Sequence, residues 1–247
     1  MNSWYDYRAL LACDIAGSAG RGEMRLQEIR TALHSALCDS FDIADLDEKA
    51  FRWIDTGDGY HFVAPAGLPK ANLLYPLLPE LSARIRAHNQ QARPDVQLRV
   101  RIALHAGEVR LDATGTVSGS PLEALARLLD SDPLRQAVRA GTRGTPVAAV
   151  LSQHYYEETV VHGYEGLEAD AFTCADVQVK EYSAQAWLWY PGSPVGPRIS
   201  PEPKPAADTR PPDLEPSGSG QHVRVSGHGT AFAVQHGTQN IHHHDRG

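Results

Sequence analysis

Through the first 190 residues, short apolar runs alternate with stretches in which apolar positions recur at helical spacing. Tyr7 to Asp14 (YRALLACD) is a run of strand length that ends in an acid and a Gly/Ser-rich loop. Beyond the loop, Leu26, Ile29, Leu33 and Leu37 follow one another at intervals of three and four, which predicts an amphipathic helix. Phe51 to Asp55 and Tyr60 to Val63 flank Thr56-Gly57-Asp58-Gly59, and a glycine-containing connection of that length predicts a hairpin with Asp58 at its tip. Pro76 to His88 predicts a second helix, with Leu77, Leu78, Leu81 and Ile85 on one face and Pro76 tolerated in the first turn. Val96 to Ala106 alternates apolar with Gln and Arg, which predicts a long half-exposed strand with Glu108 to Leu111 as its partner. Pro121 to Leu129 then reads as a helix, Val147 to Leu151 as a strand, Gln153 to His162 as a helix, and Phe172 to Lys180 with Ala186 to Tyr190 as a closing pair. The order predicts an α+β sandwich, one sheet with helices on one face.

Composition divides the chain. Nine of its 17 prolines lie between Pro191 and Pro216, where missing N–H groups and absent periodicity predict an extended linker. From Ser217 onward the chain is rich in Gly, His, Gln and Asn, holds six of the 12 histidines and has too few large apolar residues for a core. The expected organisation is therefore a domain over 1–190, a linker over 191–216 and a disordered tail over 217–247. The formal charge of -7 argues against a nucleic-acid partner, whose phosphate backbone selects a positive field. No apolar run approaches the roughly 20 residues of a spanning helix, and the start MNSWYDYR carries no signal-peptide pattern, so no membrane partner and a cytoplasmic location are expected. Cys13, Cys38 and Cys174 form no CxxC pair, which fits a reducing compartment and excludes a cysteine-based zinc site.

Two acids, each leaving a strand beside glycine, carry the chemistry. In ACDIAGSAGRG, Asp14 ends the first strand, and the backbone of the following loop can offer N–H groups to a phosphate. In DTGDGY, Asp58 lies between two glycines that let a ligand approach the backbone. If the two strands are neighbours, the carboxylates converge and supply hard oxygen ligands for Mg²⁺ or Mn²⁺ together with substrate phosphates. Each acid also fits a local role, Asp14 as a helix cap and Asp58 as a turn residue.

Together, ACDIAGS, DTGDGYHF, RVRIALHAGEV and VSGSPLEALARLLD resemble, in order and spacing, the four landmark segments of the class III nucleotidyl cyclase catalytic domain. The resemblance spans about residues 7 to 190. It implies a ferredoxin-like α+β fold, a homodimer, and conversion of a nucleoside triphosphate to a 3′,5′-cyclic nucleotide and pyrophosphate at the subunit interface. By the same resemblance Asp14 and Asp58 are the metal aspartates, and the Ile15 backbone adds a metal contact. Ala16 and Gly17 face the substrate phosphates, Arg127 steadies the transition state, and Lys180 in VQVKEY holds the triphosphate.

Several positions depart from the family pattern. Glu123 stands where the family has a ribose-orienting asparagine; it can accept a hydrogen bond but not donate one, and it also fits an (i, i+4) ion pair with Arg127. The base-selecting positions hold Ile54 and Thr116, which match neither the lysine of adenylate cyclases nor the glutamate of guanylate cyclases. A pyrimidine pocket, as in the uridylate and cytidylate cyclases of bacterial antiphage systems, is one implication; Ile54 as a plain core residue is the other. Ser18 and Ala19 replace an aromatic and a Ser/Thr of the family loop. His61 and His105 lie beside the expected site, where strand alternation can bury a satisfied histidine as readily as expose a catalytic one.

In the tail, GTAFAVQHGTQN resembles bacterial amyloid signalling motifs related to the RIP homotypic interaction motif, centred on Val234, Gln235, His236 and Gly237. Low charge, glycine spacing and Gln/Asn pairs suit in-register stacking, and the resemblance implies a partner carrying a matching motif. A histidine-rich tail with adventitious metal binding is the alternative. Two functions follow as expectations: a metal-dependent cyclase in bacterial signalling or antiphage defence, or a catalytically weak cyclase-like nucleotide sensor that acts through the tail.

Overall fold

The computed structural model describes residues 3–198. The expected assembly motif at Val234, Gln235, His236 and Gly237 and most of the proline-rich stretch lie outside the described residues. Eight strands, β1 (Ser3–Ile15), β2 (Arg52–Asp55), β3 (Gly59–Val63), β4 (Val100–Asp112), β5 (Val117–Ser118), β6 (Val147–Ser152), β7 (Phe172–Val179) and β8 (Tyr182–Trp189), form one sheet. Its order is β2-β3-β1-β4-β6-β8-β7, with β5 added to β4. Only the β4–β6 pairing is parallel, because helices α3 (Ser120–Leu129) and α4 (Asp132–Ala140) cross over between those strands. The remaining helices are α1 (Glu23–Ile43), α2 (Leu77–Gln91) and the single turn α5 (Gln153–Glu157). The fold is α+β, and β4-β1-β3-β2 with α1 and α2 has the ferredoxin-like arrangement.

Helices cover both faces of the sheet, not one. Ala9, Leu11, Cys13 and Ile15 of β1 join one core with Leu33 and Leu37 of α1 and Leu78 and Leu81 of α2. Leu10 and Ala12 join a second core with Leu125 and Leu128 of α3 and Leu134 and Ala137 of α4. A strand buried on both sides carries no alternation, so β1 reads as the continuous apolar run from Ala9 to Cys13. Single-sided cover was expected because apolar spacing does not tell which face a helix takes: α3, legible as a helix, packs on the second face together with α4, which Asp132 and Pro133 open and whose stripe is Leu134, Ala137 and Val138.

Two other boundaries are corrected. Glu108 to Leu111 does not turn back against the preceding strand; it continues β4 and pairs with the N-terminal half of β1, Glu108 opposite Tyr7 and Leu111 opposite Trp4. The lone Gly107 marks a close approach by Pro121, whose Cγ would stand 2.7 Å from an added Cβ, and one glycine is too short for a hairpin. The helix expected over 153–162 stops at Glu157, and a 3-10 turn follows over Val160–His162. There the buried Thr159 donates its hydroxyl to the Tyr155 carbonyl at 2.6 Å, within a run of β-branched residues that favours helix poorly.

The β2–β3 hairpin is as expected, and its packing is unforgiving at Gly59. Gly59 pairs with Asp14 across β1–β3, and a Cβ there would overlap the Cys13 carbonyl oxygen and come 2.8 Å from Asp14 Cα. Gly59→Ala is expected to destabilise the protein by about 1–3 kcal/mol, measured by urea unfolding. A variant as stable as the parent would contradict this close approach.

Candidate active site

Strand parity and register build the site. Asp14 follows Leu10 and Ala12 on the α3/α4 face of β1, and Arg101 precedes Ala103 on the same face of β4. The β1–β4 register sets Asp14 directly opposite Arg101, and the β1–β3 register sets it opposite Gly59. Asp58, in the turn before Gly59, accepts the Ile15 N–H on its carbonyl at 3.0 Å, which ties the turn to the end of β1. Asp14 and Asp58 therefore stand side by side at one end of the sheet.

Their surroundings differ. Asp14 is buried at 9 % exposure; its Oδ2 accepts from the Arg101 guanidinium, and its Oδ1 is buried with no hydrogen-bond partner. Asp58 Oδ2 accepts from the Ser18 hydroxyl at 2.8 Å. The Asp14 carboxyl is raised to about 6: burial is the largest cause, Arg101 opposes it, and the neighbouring Asp58 carboxylate adds to it. A buried carboxylate oxygen without a donor costs free energy unless a cation or donor reaches it. Two carboxylates with such an orphaned oxygen fit a hard divalent cation such as Mg²⁺ or Mn²⁺. Among the described residues no group of three or more His, Cys, Asp or Glu gathers for a metal, at this corner or elsewhere, so the side-chain ligands here are the two aspartates alone.

The loop after Asp14 is less open to a ligand than its sequence suggests. Ile15 donates to Asp58, and Ala16 donates to the Arg99 carbonyl at 2.8 Å, so amide donors for a phosphate begin at Gly17. Gly17 turns the chain at φ 69°, and the Arg21 Nε–H donates to its carbonyl at 2.8 Å.

Glu123, Arg127, Lys180 and Thr116 lie apart from this pair within one chain, whereas Ile54 belongs to the hairpin that carries Asp58. Glu123 and Arg127 line a second cleft, of about 530 Å³, with His105, Ser120, Glu181 and Tyr182. They form no ion pair with each other; beyond the end of α3, Arg135 pairs instead with Asp130 at 3.1 Å and Asp132 at 3.3 Å. The expected (i, i+4) bridge is therefore not formed, and Arg127 is free of it. Lys180 is exposed at the β7–β8 turn with a left-handed φ of 54°. Ile54 is half-buried on β2, opposite His61. Thr116 is exposed in the β4–β5 turn, its N–H donating to Asp112 Oδ1 at 2.9 Å, and that turn reaches β2 through an Arg52 donor on the Gly115 carbonyl. His105 shares a hydrogen bond of 2.8 Å between Nδ1 and the Ser152 hydroxyl, and burial lowers the pKa of both His105 and His61.

Sequence reasoning missed Arg101 and Ser18. Arg101 looked like one polar position on an alternating strand; only the cross-strand register reveals that it faces Asp14. Ser18 looked like a departure from a motif, yet its hydroxyl is what holds Asp58.

No protein-family model matches the sequence, and no curated protein matches it. Its fold does match solved cyclase domains. The guanylyl cyclase Cya2 aligns over 83% of this chain and 98% of its own, at 16% identity and a TM-score of 0.53. An adenylate/guanylate cyclase/hydrolase from Silicibacter pomeroyi aligns over 77% of this chain and 99% of its own, at 18% identity and a TM-score of 0.55. The catalytic core of a rhodopsin-guanylyl cyclase with converted specificity, solved in complex with ATPαS, aligns over 80% of this chain and 100% of its own, at 14% identity and a TM-score of 0.50. At these identities the likeness is one of fold, that of class III adenylate/guanylate cyclase catalytic domains.

The electrostatics of Asp14 set a pH dependence. Its folded pKa lies above the unfolded value, so its contribution to stability is fully present below about pH 4 and is lost as pH rises through about 6. Carboxyl ¹³C spectra of aspartate-labelled protein are expected to show one group titrating near 6, shifted up by Arg101→Met and down by Asp58→Asn. A midpoint at ordinary aspartate values would contradict the buried environment.

Proposed function

We propose that this protein is a homodimeric, divalent-metal-dependent nucleotidyl cyclase that converts a nucleoside triphosphate to a 3′,5′-cyclic nucleotide and pyrophosphate. The observation that carries the reading is the adjacent pair Asp14 and Asp58, with one buried oxygen unpartnered, at the end of a sheet with the cyclase fold. Asp14, Asp58 and the Ile15 carbonyl would hold Mg²⁺ or Mn²⁺, which supplies positive charge to the phosphates and lowers the pKa of the attacking 3′-hydroxyl. Arg101, already at Asp14, lies within reach of a phosphate bound there, and the amides from Gly17 onward complete its cradle. The 3′-oxygen attacks the α-phosphorus, the bond to the β-phosphate oxygen breaks, pyrophosphate leaves with the electron pair, and the hydroxyl proton passes to solvent.

Arg127 and Lys180 belong to the part of the site supplied by a second copy, since in one chain they lie away from the aspartates. Each would stabilise charge that grows on the phosphates in the transition state. Glu123 would accept from a ribose hydroxyl, and Ile54 and Thr116 would contact the base, their lack of charge suiting a pyrimidine. The favoured setting is bacterial signalling or antiphage defence, with the tail as a link to a partner.

Assay of all four ribonucleoside triphosphates with Mn²⁺ tests the reading; absence of any cyclic product from folded dimer overturns it. Asp58→Ala is expected to abolish turnover and Arg127→Ala to reduce it by about 10²–10³-fold. Mixing the two variants is expected to raise activity well above that of either alone, because a mixed dimer contains one intact composite site. Lys180→Gly should relieve roughly 1 kcal/mol of left-handed backbone strain, so its unfolding midpoint holds or rises while turnover falls.

Glu123 favours a second reading, a nucleotide sensor that binds triphosphate without turnover and acts through residues 217–247. Under it, a truncation after residue 216 keeps nucleotide binding and loses partner recruitment. Recruitment that survives the truncation would sink this alternative.

A further inference from the structure

The loop between β1 and α1 carries the amides assigned to the triphosphate, yet its own sequence does little to fix it. Gly17, Gly20 and Gly22 take left-handed φ values of 69°, 81° and 83°, and an added Cβ would meet nothing within 4 Å at any of them. Three glycines in six residues leave the backbone many alternative paths, and holding it to one of them opposes its conformational entropy. Something outside the loop has to order it.

Arg21 is placed to do so. Its Nε donates to the Gly17 carbonyl at 2.8 Å and its Nη2 to the Ala16 carbonyl at 3.4 Å, both within the loop. Its Nη1 donates to the Gln97 carbonyl at 2.9 Å and the Asp95 carbonyl at 3.4 Å, in the segment that leads into β4. That segment is itself anchored on α2: Asn89 donates from Nδ2 to the Leu98 carbonyl at 2.7 Å and accepts the Leu98 N–H on Oδ1 at 2.7 Å. Gln97 Nε2 adds a bond to the Asn89 carbonyl at 3.1 Å. No carboxylate draws Arg21 away, because the Asp95 carboxylate pairs with Arg25 at 2.8 Å and Arg21 forms no ion pair among the described residues. One half-buried planar group therefore bridges a glycine-rich loop and a fixed frame through carbonyl oxygens alone.

We propose that Arg21 is a positioning residue for nucleoside triphosphate binding: its guanidinium latches the Gly17 loop to the frame of α2 and β4, so the loop amides stand in place before the phosphates arrive. The inference rests on the cyclase reading, which assigns those amides to the phosphates. Arg21 acts through the loop, since its N–H donors are engaged by carbonyls on both sides. The latch also bears on the second acid, because Ser18, next to Gly17, donates to Asp58. A guanidinium can span two segments because its donors diverge within a plane, whereas an ammonium is a single point and serves one side at a time. A loop ordered in advance loses less freedom on binding. Bound phosphates meet the same amides in the ground state and the transition state, so the benefit falls on KM and leaves kcat in place.

Three measurements on the full chain test the latch: steady-state kinetics with Mn²⁺, titration with a non-cyclisable nucleoside triphosphate and Mn²⁺, and amide hydrogen exchange. Arg21→Ala is expected to raise KM and the Kd of the analogue about 10-fold while kcat stays within about two-fold. Its amide exchange should quicken over residues 17–22 and remain at the parent's level in β1 and β4. Arg21→Lys, which keeps the charge but cannot span both segments, should fall between Arg21→Ala and the parent. Arg93→Ala, exposed and paired with Glu28 away from the loop, should match the parent throughout. The proposal is overturned by unchanged KM and Kd in Arg21→Ala, by unchanged loop exchange, or by a fall in kcat at constant KM. Full restoration by Arg21→Lys overturns it too, since charge alone would then suffice, and so does lost protection in β1 and β4, which would make Arg21 a structural residue. A parent that binds the analogue with Arg21-dependent affinity and loop exchange, yet forms no cyclic product, keeps the latch and loses the cyclase reading. A parent that cyclises as well with Arg21→Ala does the reverse, and one that binds no triphosphate defeats both.

Discussion

The burial of Asp14 between a cation and a second acid is the constraint on which the rest of the site depends. A carboxylate at 9 % exposure is costly, and the sheet supplies only partial relief: Arg101 answers one oxygen, while the other has no partner. Asp58 increases the cost, because like charges held together oppose ionisation. An arrangement that costs stability in the isolated chain is one that a bound cation would relieve. The same feature therefore links the electrostatics of the fold to the chemistry proposed for it.

Both cores serve that arrangement. The α1/α2 layer fixes β1 from one side and the α3/α4 layer from the other, so neither strand of the Asp14–Arg101 pair can rotate about its axis. Asp14 and Arg101 occupy positions that, further along the same strands, hold Leu10, Ala12 and Ala103 in the second core. The charged end of the sheet is thus the continuation of an apolar face, at the point where the covering helices stop.

Much of this was legible in the sequence. The first strand, the hairpin carrying Asp58, α1, α2 and α3 followed from apolar spacing and glycine placement, and the convergence of the two acids followed from assuming that their strands are neighbours. Three things were not. The two-sided cover of the sheet was hidden because spacing does not say which face α3 takes, and α4, which joins it there, is a nine-residue helix whose short stripe is easily lost among Arg and Asp. The continuity of β4 through Gly107 was hidden because a glycine signals a turn and a close approach equally well. Arg101 was hidden because cross-strand register is a tertiary property; no local pattern tells which residue of β4 stands opposite Asp14. Arg127 and Lys180 could be named only by resemblance, and one chain does not bring them to the acids.

The thirteen-residue span of β1–β4 pairing, from Ser3 opposite Asp112 to Ile15 opposite Val100, has a kinetic corollary. Slippage by a single position would reverse every side chain of either strand, expelling Leu10 and Ala12 from one core as it parted Asp14 from Arg101. No small fluctuation achieves that separation. Amide exchange at these two strands is accordingly tied to opening of the entire sheet, whereas the loop from Gly17 to Gly22, outside the ladder, is held only by side-chain hydrogen bonds from Ser18 and Arg21 and can open without it.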